Sequence, residues 1–386
     1  MLPAGAVRIL SFVFLALSLY LARVETQTNE AGKLIDFDLY YYGGMAERSG
    51  SYTDTGEVLR LAGDAHRPVS ADGVFGSPSL VGLVFQPLSF LDRPVAAAIF
   101  EVLAVVALAI AVGQATDSKW WPLWLGIAVI STSNIVAFTL GNFAIFTTAL
   151  LIFAYGAFRK DHDRRGAVAL GIAIAFKLYP IFLLLPLLMK RRMTAVSWTI
   201  GTTAILLAIT PLSLGWSDTS AALDQAARIS SYVHPWSDND GLPGSVLRAT
   251  GNQELAQWTT RLAMLAAGLG LWKLRALPLA SLMAVAILFM HLAQGISWNT
   301  QYGVTLVALI SVAALPRSGT SVILLGAAYL VTNGVLQHAT YGLYGLPRGV
   351  PITIGLVLLA IITVHTLYNQ PSPTTARVGP APTQET

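Results

Sequence analysis

Apolar runs of bilayer length recur along almost the whole 386-residue chain, separated by short polar turns and two longer polar stretches. A hydrophobic stretch of roughly 17 to 25 residues is what crosses a membrane as a helix. The first run, residues 9–22 (ILSFVFLALSLYLA), follows Arg8 and ends in Tyr20-Leu21-Ala22. That ending is a poor cleavage site, so the run reads as an uncleaved span rather than a secretory leader. A polar stretch over 23–94 follows, interrupted by the apolar run 79–91. Further runs cover approximately 95–114, 121–139, 141–158, 166–189, 193–213, 258–272, 277–294, 302–316, 319–338 and 350–368. A second polar loop covers 214–257, and the Pro/Thr-rich tail 370–386 is expected to be a disordered cytoplasmic tail.

Basic residues constrain how these runs thread a bilayer. If each run crossed once, either Arg159-Lys160 with Arg164-Arg165 or Lys190-Arg191-Arg192 would lie outside, against the cytoplasmic preference of Lys and Arg. The run 166–189 carries Lys177 at its middle and Pro180 three residues on. Proline removes a rung of the helical ladder, so this run is expected to be a broken pair that enters and returns. With 79–91 as an outside, interfacial segment, the expected fold is all-α: a polytopic transmembrane bundle of about 12 helices in one domain, 1–369. Both termini are then cytoplasmic, inside loops carry a basic excess, and outside loops an acidic one. No short internal repeat accompanies this pattern.

Composition sharpens the picture. Hydrophobic residues make up 54% and charged residues 11%, against about 25% charged in a typical soluble domain. The absence of cysteine removes disulfides, zinc–thiolate clusters and thiol nucleophiles. A net charge of +4 without a basic stripe gives no reason to expect a nucleic-acid partner. Six histidines are scattered without metal-ligand spacing, His234 reading as a loop surface residue, so neither metal nor cofactor is expected. No GxxxxGK[ST] loop is present, which speaks against an ATP-driven pump.

Chemistry-bearing residues collect on the expected outer face. Ile35-Asp36-Phe37-Asp38-Leu39-Tyr40 follows the first span, Tyr232 to Gly241 contains Asn239, and Ser297-Trp298-Asn299-Thr300-Gln301-Tyr302 precedes a late span. A carboxylate partly shielded beside a bilayer can accept a proton from a hydroxyl, and Asp36 is the candidate base. On a helix, residues two apart diverge by roughly 200°, so Asp36 and Asp38 would not share one site there. The plainer alternative makes both solvated loop acids or a helix cap. A mid-span lysine such as Lys177 costs about 2.5–3.5 kcal/mol unless it finds water or an anion. A bound phosphate would meet that need, as would snorkelling or a pair with Glu101. Asn142, at an expected outer turn, could hydrogen-bond a sugar or cap a helix. Arg348 could contact phosphate or serve as an interfacial anchor.

These residues resemble the polytopic GT-C glycosyltransferases, and specifically glycosyltransferase family 87, the polyprenol-phosphate-mannose-dependent α-mannosyltransferase-like family. Four patches carry the resemblance in order. They are Ile35 to Tyr40 with Gly43-Gly44 and Ala46; Ser77-Pro78-Ser79-Leu80 leading to Gln86-Pro87-Leu88-Ser89-Phe90-Leu91; Gly141-Asn142 followed by Gly166, Gly171 and Lys177-Leu178-Tyr179-Pro180; and Ser297-Trp298-Asn299. The resemblance implies a GT-C-like bundle with extracytoplasmic loops that moves a sugar, mannose first, from a polyprenyl-phosphate carrier to an outer-leaflet glycolipid or glycan, with inversion. It places Asp36 as base and Lys177 near the donor phosphate, with Asn142, Asp38, Tyr40, Asn239, Trp298, Asn299, Gln301 and Arg348 as further substrate contacts. It also implies a multi-pass protein of the bacterial plasma membrane whose partners are the lipid-linked donor, the acceptor and the bilayer. The family often has Gly-Gln where this chain has Gly141-Asn142, and His-His where it has Thr300-Gln301, so a histidine-assisted step does not carry over. Alternatives from the residues are an arabinofuranosyltransferase of the same type, a transporter or lipid flippase using Lys177 and Glu101, and a non-catalytic assembly partner.

Overall fold

The computed structural model describes residues 4–28, 34–48, 55–67, 80–116, 120–217, 219–220, 223–224, 232–234, 239–297, 299–315, 319–332 and 349–369. Among these the regular structure is helical throughout, with no β-strand. In chain order the helices are α1 (Ala4–Thr28), α2 (Ile35–Arg48), α3 (Thr55–Asp64), α4 (Leu80–Phe85), α5 (Arg93–Ala115), α6 (Trp121–Ile130), α7 (Thr132–Leu140), α8 (Ala144–Arg159) and α9 (Asp163–Phe176). They continue as α10 (Leu184–Met189), α11 (Met193–Leu214), α12 (Leu242–Thr250), α13 (Gln253–Lys273), α14 (Leu279–Ala293), α15 (Leu306–Ala313), α16 (Gly319–Thr332) and α17 (Gly349–Tyr368). The expected tail beyond 369 lies outside the described residues, as do Trp298 and Arg348.

Two of these helices, α5 and α11, are long and apolar enough to cross a bilayer, and α6 with α7, bent by 63°, would make a third. Among the described residues, five further apolar helical stretches of 10–17 residues accompany them. Helix α5 shows how such an element folds with apolar residues on both sides. Ala97, Phe100, Ala104, Leu108, Ala111 and Ala115 form a buried stripe at helical spacing, while Val102, Leu103, Val106 and Ile110 point outward. Outward aliphatic residues suit a hydrocarbon solvent, and small inward residues let helices approach closely. At Gly156 of α8 any Cβ would sit 2.6 Å from Ala115 Cα, so this glycine permits the α5–α8 contact. Helices α9 and α11 are stitched by Thr199 Oγ1 donating to Ala167 O (3.2 Å) and Thr203 Oγ1 to Gly171 O (3.0 Å).

The run 166–189 is broken where Lys177 and Pro180 predict. Helix α9 ends at Phe176, Lys177 is extended, and a short 3-10 helix Tyr179–Leu183 leads into α10. The chain then returns to its starting level. Arg192, at the entrance to α11, binds Asp163 Oδ2 (2.9 Å) and Asp161 Oδ1 (3.1 Å) at the entrance to α9. Both basic turns therefore lie at one end of the bundle, as a segment that enters and returns requires.

Candidate functional site

The opposite end of the bundle gathers the polar residues. Helix α7 closes on Gly141, whose φ of 66° is left-handed and whose hydrogen faces Phe37; a Cβ there would collide with the Phe37 side chain. That close approach docks the start of α2 on the α7–α8 turn, where Leu34 N also donates to Thr139 O at 2.6 Å. Asp36, in the first turn of α2, is thereby brought to Asn142, whose Nδ2 donates to Asp36 Oδ2 at 2.7 Å. Asn142 Oδ1 accepts from Ala144 N at 2.7 Å. The amide thus holds the carboxylate and the first backbone N–H of α8 together; of the two roles open to it in the sequence, this contact is the one at a helix start. A carboxylate in a first helical turn also faces the positive end of the helix dipole.

Lys177 completes the arrangement from a third element. It lies within electrostatic reach of Asp36 and makes no salt bridge with any described residue. Glu101 is not its partner: that carboxylate pairs with Arg23 at 3.6 Å. Phe143 follows Asn142 in the chain and Phe176 precedes Lys177, and their rings lie 4.7 Å apart. Both rings line an almost wholly apolar groove of about 420 Å³ between α4, α5, α8 and α9, walled also by Phe85, Phe100, Ala111 and Ile172. That volume lies in the ~300–1,000 Å³ range of small-molecule sites. Tyr40, one turn beyond Asp36, is buried against Phe85 and Phe143 at ring distances of 5.2 and 6.5 Å.

Asp38 points elsewhere, as the helical angle requires. It is 1% exposed and held by Arg93 Nη2 at 3.0 Å and Arg67 Nε at 2.9 Å. This buried ion triplet clamps α2 to the turns around α3 and α5, so Asp38 is placed among arginines rather than beside Asp36.

The remaining expected residues form a second polar group under the late loop. Asn239 is fully occupied: its Nδ2 donates to His234 O and Gly295 O (both 2.9 Å), and its Oδ1 accepts from Ser297 N (2.8 Å). It stitches the 214–257 loop to the end of α14. Burial holds the His234 imidazole below its ordinary 6.5. Gln301 Oε1 accepts from Gln294 Nε2 at 3.0 Å, and Asn299 opens the same 3-10 helix, Asn299–Thr305. Two residues that sequence reasoning passed over sit here. His291 and Gln294, three apart at the end of α14, are buried, and the His291 ring lies 5.8 Å from Tyr179 and 5.4 Å from Tyr302. Two polar side chains at i, i+3 spacing in an otherwise apolar run were the available signal. Among the described residues no group of three or more metal-ligating side chains occurs.

Chemically, a positioned carboxylate lies within electrostatic reach of a cation, and Phe143 after Asn142 and Phe176 before Lys177 line an apolar groove. A family model described as "Glycosyltransferase family 87" matches residues 77–316. The chain is 24% identical over 312 residues, 73% of its length and 70% of the relative's, to a "Polyprenol-phosphate-mannose-dependent alpha-(1-2)-phosphatidylinositol mannoside mannosyltransferase" of Mycobacterium tuberculosis. It is 28% identical over 206 residues, 48% of its length and 44% of the relative's, to a protein of the same description from Mycolicibacterium smegmatis. The family match covers Asn142, Lys177 and Gln301 and begins after Asp36.

Proposed function

Since the chain belongs to glycosyltransferase family 87, we propose that it transfers mannose from a polyprenyl-phosphate carrier to a glycolipid acceptor at the extracytoplasmic face of the membrane. The names of the two mycobacterial relatives support that donor and an acceptor of the phosphatidylinositol mannoside type. The observation that carries the reading is the Asp36 carboxylate, fixed by Asn142 within electrostatic reach of Lys177, whose chain neighbour Phe176 lines the apolar groove. In the transfer, an acceptor hydroxyl oxygen bonds to the anomeric carbon from the face opposite the phosphate. The bond from that carbon to the phosphate oxygen breaks, and the configuration inverts. The hydroxyl proton passes to Asp36, and polyprenyl phosphate leaves with the bonding electrons, its added charge met by Lys177. The first isoprene units of the carrier lie along Phe143 and Phe176, on the wall of the groove.

Orientation follows from helix length. Helix α8 runs 16 residues from Ala144 to Arg159, about 24 Å, and α9 runs 14 residues from Asp163 to Phe176, about 21 Å. Asn142 and Lys177 therefore lie at the far ends of these helices from the paired basic turns. With those turns cytoplasmic, the site opens in the outer leaflet of a multi-pass protein of the bacterial plasma membrane.

The test uses the full chain in nanodiscs with radiolabelled polyprenyl-phosphate mannose and a phosphatidylinositol mannoside acceptor. Asp36→Asn is expected to lower turnover by roughly 10²- to 10⁴-fold, the usual share of a general base, while donor binding persists. Lys177→Gln is expected to weaken donor binding more than acceptor binding. Turnover retained in Asp36→Asn would remove the base, and unchanged donor affinity in Lys177→Gln would remove the phosphate contact.

A further inference from the structure

The buried group around His291 contains more hydrogen-bonding capacity than the protein uses. Tyr179 Oη, His291 Nε2, Gln294 Oε1 and Ser297 Oγ are all buried and have no hydrogen-bond partner among the described residues. His291 and Ser297 are 0% exposed and Gln294 is 5% exposed. The four belong to one contiguous cluster. Gln294 Nε2 lies 3.1 Å from His291 Nδ1 and donates to Gln301 Oε1, and Tyr302, whose ring packs on His291, donates to Ser297 O at 2.8 Å. An amide nitrogen facing Nδ1 makes that nitrogen the acceptor and puts the imidazole proton on Nε2. The unpartnered set is then one N–H donor, one carbonyl acceptor and two hydroxyls able to do either. Leaving such groups buried without partners is costly, and native proteins retain them where a ligand or ordered water supplies the missing half.

We propose that Tyr179, His291, Gln294 and Ser297 seat the hydroxyl groups of the donor's sugar ring. This rests on the lipid-linked donor proposed above. Two arguments select the sugar. A phosphate, which only accepts, would satisfy the donors and leave Gln294 Oε1 orphaned, whereas hydroxyls both donate and accept and so complement all four. Tyr179 also follows Lys177 by two residues, on the 3-10 helix that begins where Lys177 ends α9. A molecule whose phosphate lies at Lys177 has its directly bonded sugar within reach of Tyr179 and His291.

The experiment compares two probes on the purified full chain in nanodiscs: polyprenyl-phosphate mannose and the same polyprenyl phosphate without sugar. His291→Phe and Gln294→Leu are expected to weaken binding of the mannosylated carrier by about tenfold, the order expected for one lost hydrogen bond to a well-held group, and to leave the sugar-free carrier unchanged. His291→Gln, which keeps an N–H donor, is expected to recover much of the loss. Equal weakening of both probes would overturn the proposal in favour of a general lipid or folding effect. A rise in acceptor KM with donor binding intact would assign the cluster to the acceptor and overturn it. A lowered melting temperature with both affinities intact would make the cluster a structural water site and overturn it equally. If the wild-type chain binds neither carrier, the transferase reading fails independently of these four residues.

Discussion

Asn142 donates its side-chain amide to the Asp36 carboxylate at 2.7 Å, joining residues 106 positions apart. The same amide oxygen accepts from Ala144 N, so its plane is set by the first turn of α8. If Asp36 is the base proposed above, Asn142 is a positioning residue that acts through that carboxylate. Asn142→Ala is expected to lower kcat by about 10²-fold, the order of loss that a displaced catalytic group causes, with donor KM little changed. Asn142→Gln, which keeps an amide, is expected to retain part of the activity. A fall in donor affinity without a fall in kcat would show that Asn142 binds substrate instead.

The convergence of Asp36, Asn142 and Lys177 was legible because each breaks its local pattern. Asp36 follows the first apolar run, Asn142 interrupts two runs, and Lys177 stands inside one next to Pro180. Family membership then selects a transferase over a transporter or an assembly partner. The fate of Asp38 was only half legible. The helical angle separates it from Asp36, but its partners Arg67 and Arg93 lie 29 and 55 residues away, a distance only the fold spans. His291 and Gln294 were missed because attention to histidines sought metal spacing, whereas the informative feature was polarity inside a buried apolar helix. Hydropathy did not reveal where a run bends, as between Ile130 and Thr132, where α6 and α7 meet at 63°.

The Arg192 pairs with Asp161 and Asp163 place both basic turns at one end, and the topology predicts which side they face. The absence of native cysteine makes the measurement direct. A single cysteine at the exposed Arg165 is expected to react with an impermeant maleimide only after the cytoplasmic face is opened. One at the exposed Asp64 is expected to react in intact cells. Reversed labelling would put the Asp36 site on the cytoplasmic side and end the outer-leaflet assignment.

Glu47 lies three turns beyond Asp36 on α2, in the segment proposed above to be extracytoplasmic, and is buried with Oε2 unpaired among the described residues. Desolvation pushes its carboxyl from the ordinary 4.5 up to about 7. Below pH 4.5 both folded and unfolded states are protonated, and the group contributes no pH dependence. Between 4.5 and 7 the unfolded state ionises first, so stability falls as pH rises, by about 3 kcal/mol in total. Above 7 the loss is complete. Glu47→Gln removes the ionisation, and its thermal midpoint is expected to exceed that of the wild type at pH 8 and to match it near pH 4.5. Parallel pH profiles for the two proteins would show that Glu47 ionises freely in the folded state.

The groove between α5, α8 and α9 sets the last expectation. Its wall includes Ala107, Ala111 and Ala149, small residues that leave the width between Phe100, Phe146 and Phe176 open. Ala107 is half-buried and sits between the outward Val106 and the buried Leu108, so a larger side chain there can enter the groove without displacing the α5–α8 seam at Ala115 and Gly156. If the carrier's isoprenoid chain lies here, Ala107→Phe removes apolar surface that the chain would cover, at about 25 cal/mol per Å². The variant is expected to raise KM for a long-chain polyprenyl-phosphate mannose by about tenfold, which corresponds to some 55 Å² of lost contact. A donor with only one or two isoprene units, which does not reach so deep, is expected to show little change. The same shift for both donors would mean that the substitution disturbs the Asp36–Lys177 end rather than the tail. No shift for either would place the isoprenoid chain on another face of the bundle, and the groove would lose its assigned occupant.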